Sequence, residues 1–206
     1  MIAFLWIGTA IFAYLISGLN PAILLSRAVY KQDVREVGSK NAGFTNFKRS
    51  FGGKLAWAVF ALDLLKGALI STAAGLLFLH FYGDFPLGAA YAGVFAMLGH
   101  AYPIYYSFKG GKGFLVCLST LFFLDYRAGL IAFALLTVLL LTVHIMSVST
   151  MAALIGGTVA LALFGGSLPV VLIYCGCVLF MILRHRENIK RLFHGTESKF
   201  YLKSRK

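Results

Sequence analysis

The run AGLIAFALLTVLLLTVHIMSVSTMAALIGGTVALALFGGSLPVVLIYCGCVLFMIL, residues Ala128–Leu183, contains no Asp, Glu, Lys or Arg. It is longer than two membrane spans need, because one span takes about 20 apolar residues. Polar and glycine-rich points divide it near His144–Ser149 and at Gly165–Ser167. It is therefore predicted to form three short helices. These are Ala128–Val143, Thr150–Phe164 and Leu168–Leu183.

The rest of the chain has the same apolar character. Of its 206 residues, 60% are hydrophobic and 13% are charged, and the mean hydropathy is +0.84. A soluble domain has about 25% charged residues. Further apolar runs are Met1–Ser26, Leu55–Phe81, Leu87–Tyr106 and the shorter Phe114–Leu124. The first has no signal-peptide cleavage site, so we expect it to remain as a span, bent at Asn20–Pro21. The sequence predicts one domain, residues 1–206: an all-α integral membrane protein with about seven transmembrane helices.

The net charge of +12 comes from short loops between these apolar runs. In a soluble protein it would suggest nucleic acid, but cations between spans follow the positive-inside rule. No nucleic-acid partner is therefore expected. With seven crossings, seventeen of the nineteen Lys and Arg residues share one face if the N-terminus is outside and the C-terminus cytoplasmic. That face could also attract anionic substrates. The cationic segments are Arg27–Lys54, Gly99–Gly113 and Arg184–Lys206.

The first cationic segment contains GSKNAGFTNFKR, Gly38–Arg49. It combines glycines and backbone-capping residues with three cations and no acid. Such a segment can turn its N–H groups inward as a nest for phosphate, with side chains adding donors. The alternative is a solvated cytoplasmic turn whose charge only reflects the topology.

The second cationic segment ends in FKGGKG, Phe108–Gly113. It is not a nucleotide-binding P-loop, because Gly113 follows Lys112 where Ser or Thr is required, and Tyr106 stands at the first glycine position. It is either a phosphate-binding loop using backbone amides with Lys109 or Lys112, or a flexible loop. His100 ends the preceding span and is predicted to be structural.

The sequence lacks the motifs of serine hydrolases and of metal sites. There is no G-x-S-x-G elbow and no metal-ligand spacing, and the three cysteines lie in apolar runs. Asp63 and Lys66 lie three residues apart on one helical face, which favours a buried ion pair over direct chemistry. The tail HRENIKRLFHGTESK, His185–Lys199, is typical of an amphipathic helix at a membrane surface.

Together these segments resemble the PlsY family, the bacterial membrane acyl-phosphate:glycerol-3-phosphate acyltransferases. The family motif G-S-x-N-x-G-x-T-N corresponds to Gly38–Asn46. Its G-H-x-x-P and F-K-G-G-K-G correspond to Gly99–Pro103 and Phe108–Gly113. Its H-R-x-N-I-x-R-L with G-T-E corresponds to His185–Leu192 and Gly195–Glu197, and its D-x-x-K-G to Asp63–Gly67. The resemblance covers essentially the whole chain.

The resemblance implies a reaction and a set of site residues. An acyl group would pass from acyl phosphate to the 1-hydroxyl of glycerol 3-phosphate, without cofactor or metal and by substrate-assisted chemistry. Ser39, Lys112 and Asn188 are assigned as catalytic. The substrate-binding residues are Asn41, Gly43, Thr45, Arg49, Lys109, Gly110, Gly111, Ser147, His185, Arg186 and Glu197. Glu197 is expected to organise its loop by pairing with a cation, whereas His100, Asp63 and Lys66 are assigned structural roles.

The resemblance also implies a setting. The protein would be a multi-pass monomer of the bacterial cytoplasmic (inner) membrane. It would contact membrane lipids and be linked in function to the enzyme that makes acyl phosphate. The chain departs from the family at Lys40, Phe44, Phe114–Val116 and His144. Two alternatives from other classes stay open, a transporter of organic phosphate and an inactive relative that serves as an interaction protein.

Overall fold

The structure, a computed structural model, describes residues 2–201. Every regular element within this range is helical, which confirms the all-α prediction. The helices are α1 Ile2–Gly18, α2 Pro21–Tyr30, α3 Phe44–Phe51, α4 Leu55–Tyr82, α5 Phe85–Ala101, α6 Phe114–Leu124, α7 Tyr126–Thr142, α8 Met146–Leu163, α9 Leu168–Arg184 and α10 Arg186–Phe193, with a 3-10 turn at Ile104–Tyr106. Met1 and residues 202–206, which include three of the predicted tail cations, lie outside the described residues.

Three helical segments in the described range are long and apolar enough to cross a membrane: Ile2–Tyr30, Leu55–Tyr82 and Met146–Leu163. The pair α9–α10 adds a fourth if its two helices, bent by 57°, form one span. Length and composition thus mark three or four of the seven predicted spans as membrane-crossing. The shorter helices α6 and α7 are also apolar.

Helix α5 lies at the centre of the bundle and packs against α1, α4, α6 and α9. Helix α6 then connects it to the α7–α8 pair. The contact between α1 and α5 is close because it uses a glycine: a Cβ built on Gly99 would lie 2.1 Å from the carbonyl oxygen of Tyr14. Small residues at helix contacts are the usual means of close packing in membrane bundles. This packing holds the end of α5, where the second cationic segment begins.

The first apolar run breaks between α1 and α2, at the predicted Asn20–Pro21 step. Asn20 caps α2, since its Oδ1 accepts from the Ile23 N–H (3.1 Å), and Pro21 takes the first helical position, which needs no N–H donor. The Asn20 Nδ2 also donates to the Ala42 carbonyl (3.1 Å). The break therefore ties the first span to the segment Gly38–Arg49.

Two elements differ from the sequence prediction for physical reasons. The second half of Gly38–Arg49 is helix α3, because Phe44, Phe47 and Phe51 form an apolar stripe that packs inward. The third predicted span stops at Ala101 rather than near Tyr106, because Pro103 disfavours helix at the residue before it. Both differences shape the connections around the site described next.

Candidate active site

A cavity of about 340 Å³ lies where the cationic segments meet. Its lining has a polar part, here called the polar end, and an apolar part, here called the apolar end. The polar end includes Ser39, Asn41, Thr45, Asn46, Arg49, Lys112, Ser147, His185, Asn188, Arg191 and Glu197. The apolar end includes Phe44, Trp57, Phe60, Phe114, Leu115, Phe133, Leu136, Leu140, Leu141 and Met146. Gly43 also lines the cavity, so most of the predicted site residues surround one space.

Asn46 fixes the loop that precedes α3. Its Oδ1 accepts from the Ser39 N–H (2.8 Å), and its Nδ2 donates to the carbonyls of Val34 (2.8 Å) and Val37 (3.1 Å). Gly38 has a φ of 55°, and a Cβ there would lie 2.4 Å from the Asn46 Oδ1. Only glycine fits this approach. The loop is thereby folded over one side chain, with Ser39 and Asn41 lining the cavity.

Asp33 joins the first cationic segment to the second. Its carboxylate accepts from Arg27 Nε (2.9 Å) and from Arg35 Nε and Nη2 (3.0 and 2.8 Å). The hydrogen bond from Arg35 lowers the pKa of Asp33 to about 2. The Arg35 Nη1 then donates to the carbonyls of Tyr106 (2.8 Å) and Lys109 (3.1 Å). The side chain of Lys109 is exposed and does not line the cavity. Lys109 contributes its backbone carbonyl to the contact between the two segments.

Gly110 and Gly111 turn the second segment back against α5. Their N–H groups donate to the carbonyls of Ala101 and His100 (both 3.0 Å). A Cβ on Gly111 would lie 2.2 Å from His100 Nε2 and 2.6 Å from the Ala42 carbonyl. Neither glycine lines the cavity, and both amides are used within the protein. Their place in the structure is to position Lys112, which does line it.

Lys112 begins a chain of polar contacts across the polar end. Its ammonium donates to Asn188 Oδ1, and Asn188 Nδ2 donates to Glu197 Oε1 (2.6 Å). An ammonium only donates and a carboxylate only accepts, which fixes the orientation of the amide between them. Burial disfavours the charged form of Lys112 and lowers its pKa to about 8.

Glu197 is the anchor at the far end of this chain. Its Oε1 also accepts from Ser147 Oγ (2.8 Å), and its Oε2 pairs with Arg191 Nε (2.7 Å). Burial opposes ionisation of this carboxyl, but the hydrogen bonds from Asn188, Arg191 and Ser147 lower its pKa overall. The predicted cation partner of Glu197 is therefore Arg191, and both carboxylate oxygens are occupied by protein donors.

His185 and Arg186 follow α9 but have different surroundings. The His185 Nδ1 lies 2.9 Å from the Met181 carbonyl, which can only accept, so Nδ1 carries the proton. In the neutral ring, Nε2 is then an acceptor, and the ring lines the cavity. The Arg186 side chain is 81% exposed, lies near Glu187 and does not line the cavity. The geometry thus separates two neighbours that the sequence placed in one site.

Asp63, Lys66 and His100 form a buried polar cluster beside the cavity. Lys66 Nζ lies 2.8 Å from Asp63 Oδ1 and 3.0 Å from His100 Nδ1, and it donates to the Ser17 carbonyl (3.0 Å). Asp63 and His100 reach the cavity wall, whereas Lys66 does not. The ammonium thus forms an ion pair with Asp63 within α4 and also satisfies a carbonyl at the end of α1.

The apolar end holds the residues that sequence reasoning did not assign to the site. Phe44 packs against Trp57, Phe60 and Phe200, with ring centroids 5.3, 5.3 and 5.9 Å away. Trp57 of α4 and Phe133 of α7 line the cavity and are 46% and 45% exposed. Half-exposed rings from α4 and α7 therefore form part of the apolar end.

The departures from the family motifs fit this geometry. Lys40 has a φ of 58°, and its side chain is exposed, so a long side chain can be accommodated at this position. Phe44, Phe114 and Leu115 are part of the apolar cavity wall. The φ of His144 is 59°, and its carbonyl accepts from the Phe200 N–H (2.7 Å).

Such a cavity suits an amphiphilic anion, with cations at one end and apolar side chains at the other. Fold and site together define a helical integral membrane protein with a cavity lined by cations and by apolar side chains. The family model for glycerol-3-phosphate acyltransferase matches residues 7–195. The chain belongs to this family, the PlsY acyltransferases.

Relatives and solved structures agree with this membership. The chain is 40% identical over 195 residues to a glycerol-3-phosphate acyltransferase of Pseudomonas putida, covering 93% of this chain and 97% of the relative. It is 36% identical to that of Finegoldia magna, covering 92% and 93%. The crystal structure of PlsY (YgiH), an integral membrane glycerol 3-phosphate acyltransferase, in its glycerol 3-phosphate form matches with a TM-score of 0.86 at 31% identity, covering 95% of this chain and 96% of that chain. Its lysophosphatidic acid form gives 0.81 at 30% identity, covering 95% of both.

Proposed function

We propose that this protein transfers an acyl group from acyl phosphate to the 1-hydroxyl of sn-glycerol 3-phosphate, giving lysophosphatidic acid and inorganic phosphate. The observation that carries the proposal is a cavity lined by both cationic and apolar side chains. Its polar end offers cations and hydroxyl or amide donors, and its apolar end includes the half-exposed rings Trp57 of α4 and Phe133 of α7. The donor and the product each combine a phosphate with a fatty chain, so each matches both ends.

The donor would lie along the length of the cavity. Its phosphate would contact the loop that Asn46 holds, through Ser39, Asn41, Gly43 and Thr45. Its acyl chain would run between α4 and α7, past Trp57 and into the bilayer. Because lipid tails are as apolar as these side chains, the groove would direct the chain rather than supply most of its affinity.

The acceptor would occupy the other side of the polar end. Lys112 and Arg49 would neutralise its phosphate, and Ser147 and Asn188 lie in the same polar network. His185 would offer Nε2 as an acceptor for a hydroxyl, because Met181 holds the proton on Nδ1. The glycerol 3-phosphate form of the related PlsY structure supports this choice of acceptor.

The reaction itself needs little from the protein. The 1-hydroxyl oxygen attacks the acyl carbon, a new ester C–O bond forms, and the C–O bond to phosphate breaks. The phosphate leaves with the electron pair and accepts the hydroxyl proton. Because the anhydride is already activated, positioning and charge neutralisation by Lys112 and Arg49 would supply most of the rate. Ser39 and Asn188 would hold the reacting groups in line.

We also propose seven crossings, with the N-terminus outside and the C-terminus in the cytoplasm. Seven helices have eleven or more residues, α1 and α4–α9. The connections from α1 to α4 and from α5 to α6 and the segment after α9, which this topology places in the cytoplasm, contribute residues to the cavity, and the turns after α4, α6 and α8 contribute none. Cysteines at Lys54 and Asp84, each in a variant without other cysteines, should label on opposite sides of intact cells.

The proposed setting is the bacterial cytoplasmic membrane, where both phosphorylated substrates are available on the inner side. The proposed active unit is a monomer. An upstream enzyme that makes acyl phosphate would be the functional partner.

One assay tests the reaction. Purified protein in detergent is given labelled glycerol 3-phosphate with acyl phosphate or acyl-CoA, and lysophosphatidic acid is scored. We expect product with acyl phosphate alone. Product only with acyl-CoA would overturn the donor assignment, and no product with either would favour an inactive relative. Uptake of glycerol 3-phosphate into proteoliposomes without product would favour a transporter.

A further inference from the structure

The chain from Thr196 to Tyr201, here called the strap, has no helical structure and lies beside the cavity. Two anchors hold it. Glu197 is fixed at one end by Ser147, Asn188 and Arg191. At the other end the ring of Phe200 is 3% exposed and belongs to an apolar cluster that includes the cavity residues Phe44, Leu115 and Leu140.

Between its two anchors the strap contacts Arg49. The Arg49 Nη2 donates to the carbonyls of Ser198 (2.9 Å) and Lys199 (3.2 Å), and its Cζ lies 6.0 Å from the centre of the Phe200 ring. A guanidinium has five N–H donors in a planar fork. Two strap carbonyls on one nitrogen therefore orient the group while its other donors stay available to an anion in the cavity.

We propose that Phe200 is a positioning residue that acts through Arg49. Its buried ring holds Ser198 and Lys199 where their carbonyls aim the guanidinium into the polar end of the cavity. This inference rests on the proposed function, in which Arg49 binds the phosphate of the acceptor. It adds a determinant of phosphate affinity that lies outside the polar motifs and touches no substrate.

The two anchors make the effect specific. Loss of the Phe200 ring leaves Glu197 bound to Ser147, Asn188 and Arg191, so the Lys112–Asn188 contact is preserved. The backbone N–H of Phe200 can still reach the His144 carbonyl in any side-chain variant. Loss of the ring affects the two carbonyls that Arg49 uses, and it also removes contacts with Phe44, whose ring centroid is 5.9 Å away, and with the Lys48 ammonium at 4.9 Å. The double-mutant cycle with Arg49 distinguishes these effects.

The test compares Phe200→Ala with Phe200→Leu and with Phe193→Ala. Phe193 is 87% exposed at the end of α10, so it provides a matched control for removing a phenyl ring from the same tail. We expect Phe200→Ala to raise the KM for glycerol 3-phosphate about tenfold with kcat within about threefold. Phe200→Leu should recover most of the affinity, and Phe193→Ala should match the unmodified protein. Equal KM values for Phe200→Ala and Phe193→Ala would overturn the proposal.

A double-mutant cycle with Arg49→Lys tests the route of the effect. Lysine lacks the planar fork, so the strap can no longer aim it as it aims arginine. We expect Phe200→Ala to add less than about twofold to KM in the Arg49→Lys background. Full additivity would show that Phe200 acts on something other than Arg49 and would contradict the proposal.

A binding measurement separates this inference from the reaction. The melting temperature of the purified protein is recorded with increasing inorganic phosphate. Phosphate should raise the melting temperature of the unmodified protein and of Phe193→Ala. Phe200→Ala should need about ten times more phosphate for the same rise. This expectation does not depend on finding acyl transfer. Equal protection of Phe200→Ala and the unmodified protein would overturn the positioning role of Phe200. If Phe200→Ala is not monodisperse, a graded loss across Phe200→Leu and Phe200→Val decides the same question.

Discussion

The ammonium of Lys66 lies 3.0 Å from the carbonyl oxygen of Ser17, in the last turn of α1. The carbonyls at the end of a helix lack partners within the helix. Ser17 is fully buried, so its carbonyl must find a partner elsewhere in the protein. Lys66 supplies it from α4 and is itself balanced by Asp63 at 2.8 Å. The break in the first span therefore depends on a cation from another helix.

Replacing Lys66 by Met should destabilise the protein strongly. It removes the ammonium 2.8 Å from Asp63, a carboxylate that is 1% exposed and then has only His100 Nδ1 at 3.5 Å beside it. Breaking one half of a buried ion pair costs about 3–5 kcal/mol of unfolding free energy. The melting temperature in detergent should fall accordingly. The double variant Lys66→Met with Asp63→Asn should recover part of the loss, because the buried charge is then gone.

The control for this prediction is Lys40→Met, which removes an exposed lysine of the same chain. It should leave the melting temperature within about 1 °C, since exposed substitutions rarely exceed 0.5 kcal/mol. A Lys66→Met protein as stable as Lys40→Met would contradict the structural role of the cluster.

Replacing Asn188 by Ala should abolish product while the protein still folds. The amide is the only link in the chain from Lys112 to Glu197 among the contacts described, so its loss frees the ammonium from its fixed position. We expect kcat/KM to fall at least about a hundredfold, or about 3 kcal/mol in transition-state stabilisation. Glu187→Gln, one residue earlier on the exposed side of α10, is the matched control. Near-normal turnover in Asn188→Ala would remove Asn188 from the catalytic set.

The activity should decline at alkaline pH through Lys112. Burial lowers the pKa of this group to about 8, so its ammonium is present below pH 8 and is lost as the pH rises above it. The KM for glycerol 3-phosphate should therefore increase above about pH 8. Lys112→Arg should show no such increase up to pH 10, because a guanidinium stays charged. The same alkaline rise in Lys112→Arg would assign the effect to another group.

The sequence carried the polar half of this site but not its apolar half. Ser39, Lys112 and Asn188 stand in segments whose composition differs sharply from their surroundings, and these segments line one cavity. Phe133 and Leu140 stand in spans where nearly every position is apolar, so no pattern separates a cavity wall from a lipid-facing surface. That distinction depends on how α4 and α7 are spaced, which only the folded bundle defines.

The sequence also did not reveal which backbone groups are used within the protein. Gly110 and Gly111 suggested phosphate-binding amides, yet both amides donate to carbonyls at the end of α5. A glycine motif predicts close approach of the backbone without saying what is approached. Helix α3, in contrast, had a signal in the spacing of Phe44, Phe47 and Phe51, which matches one face of a helix.

Replacing Gly99 by Ala should separate α1 from α5. The added Cβ would lie 2.1 Å from the Tyr14 carbonyl oxygen, a backbone atom that cannot rotate away. Overpacking of this kind costs about 1–3 kcal/mol, so the melting temperature should fall. Activity should fall as well, because the next residue, His100, supplies the carbonyl that holds Gly111 beside Lys112. Gly8→Ala in α1 is the matched control, since its Cβ would meet nothing within 4 Å and alanine favours the helix. If both variants melt at the temperature of the unmodified protein, the two helices are not packed as closely as the structure has them.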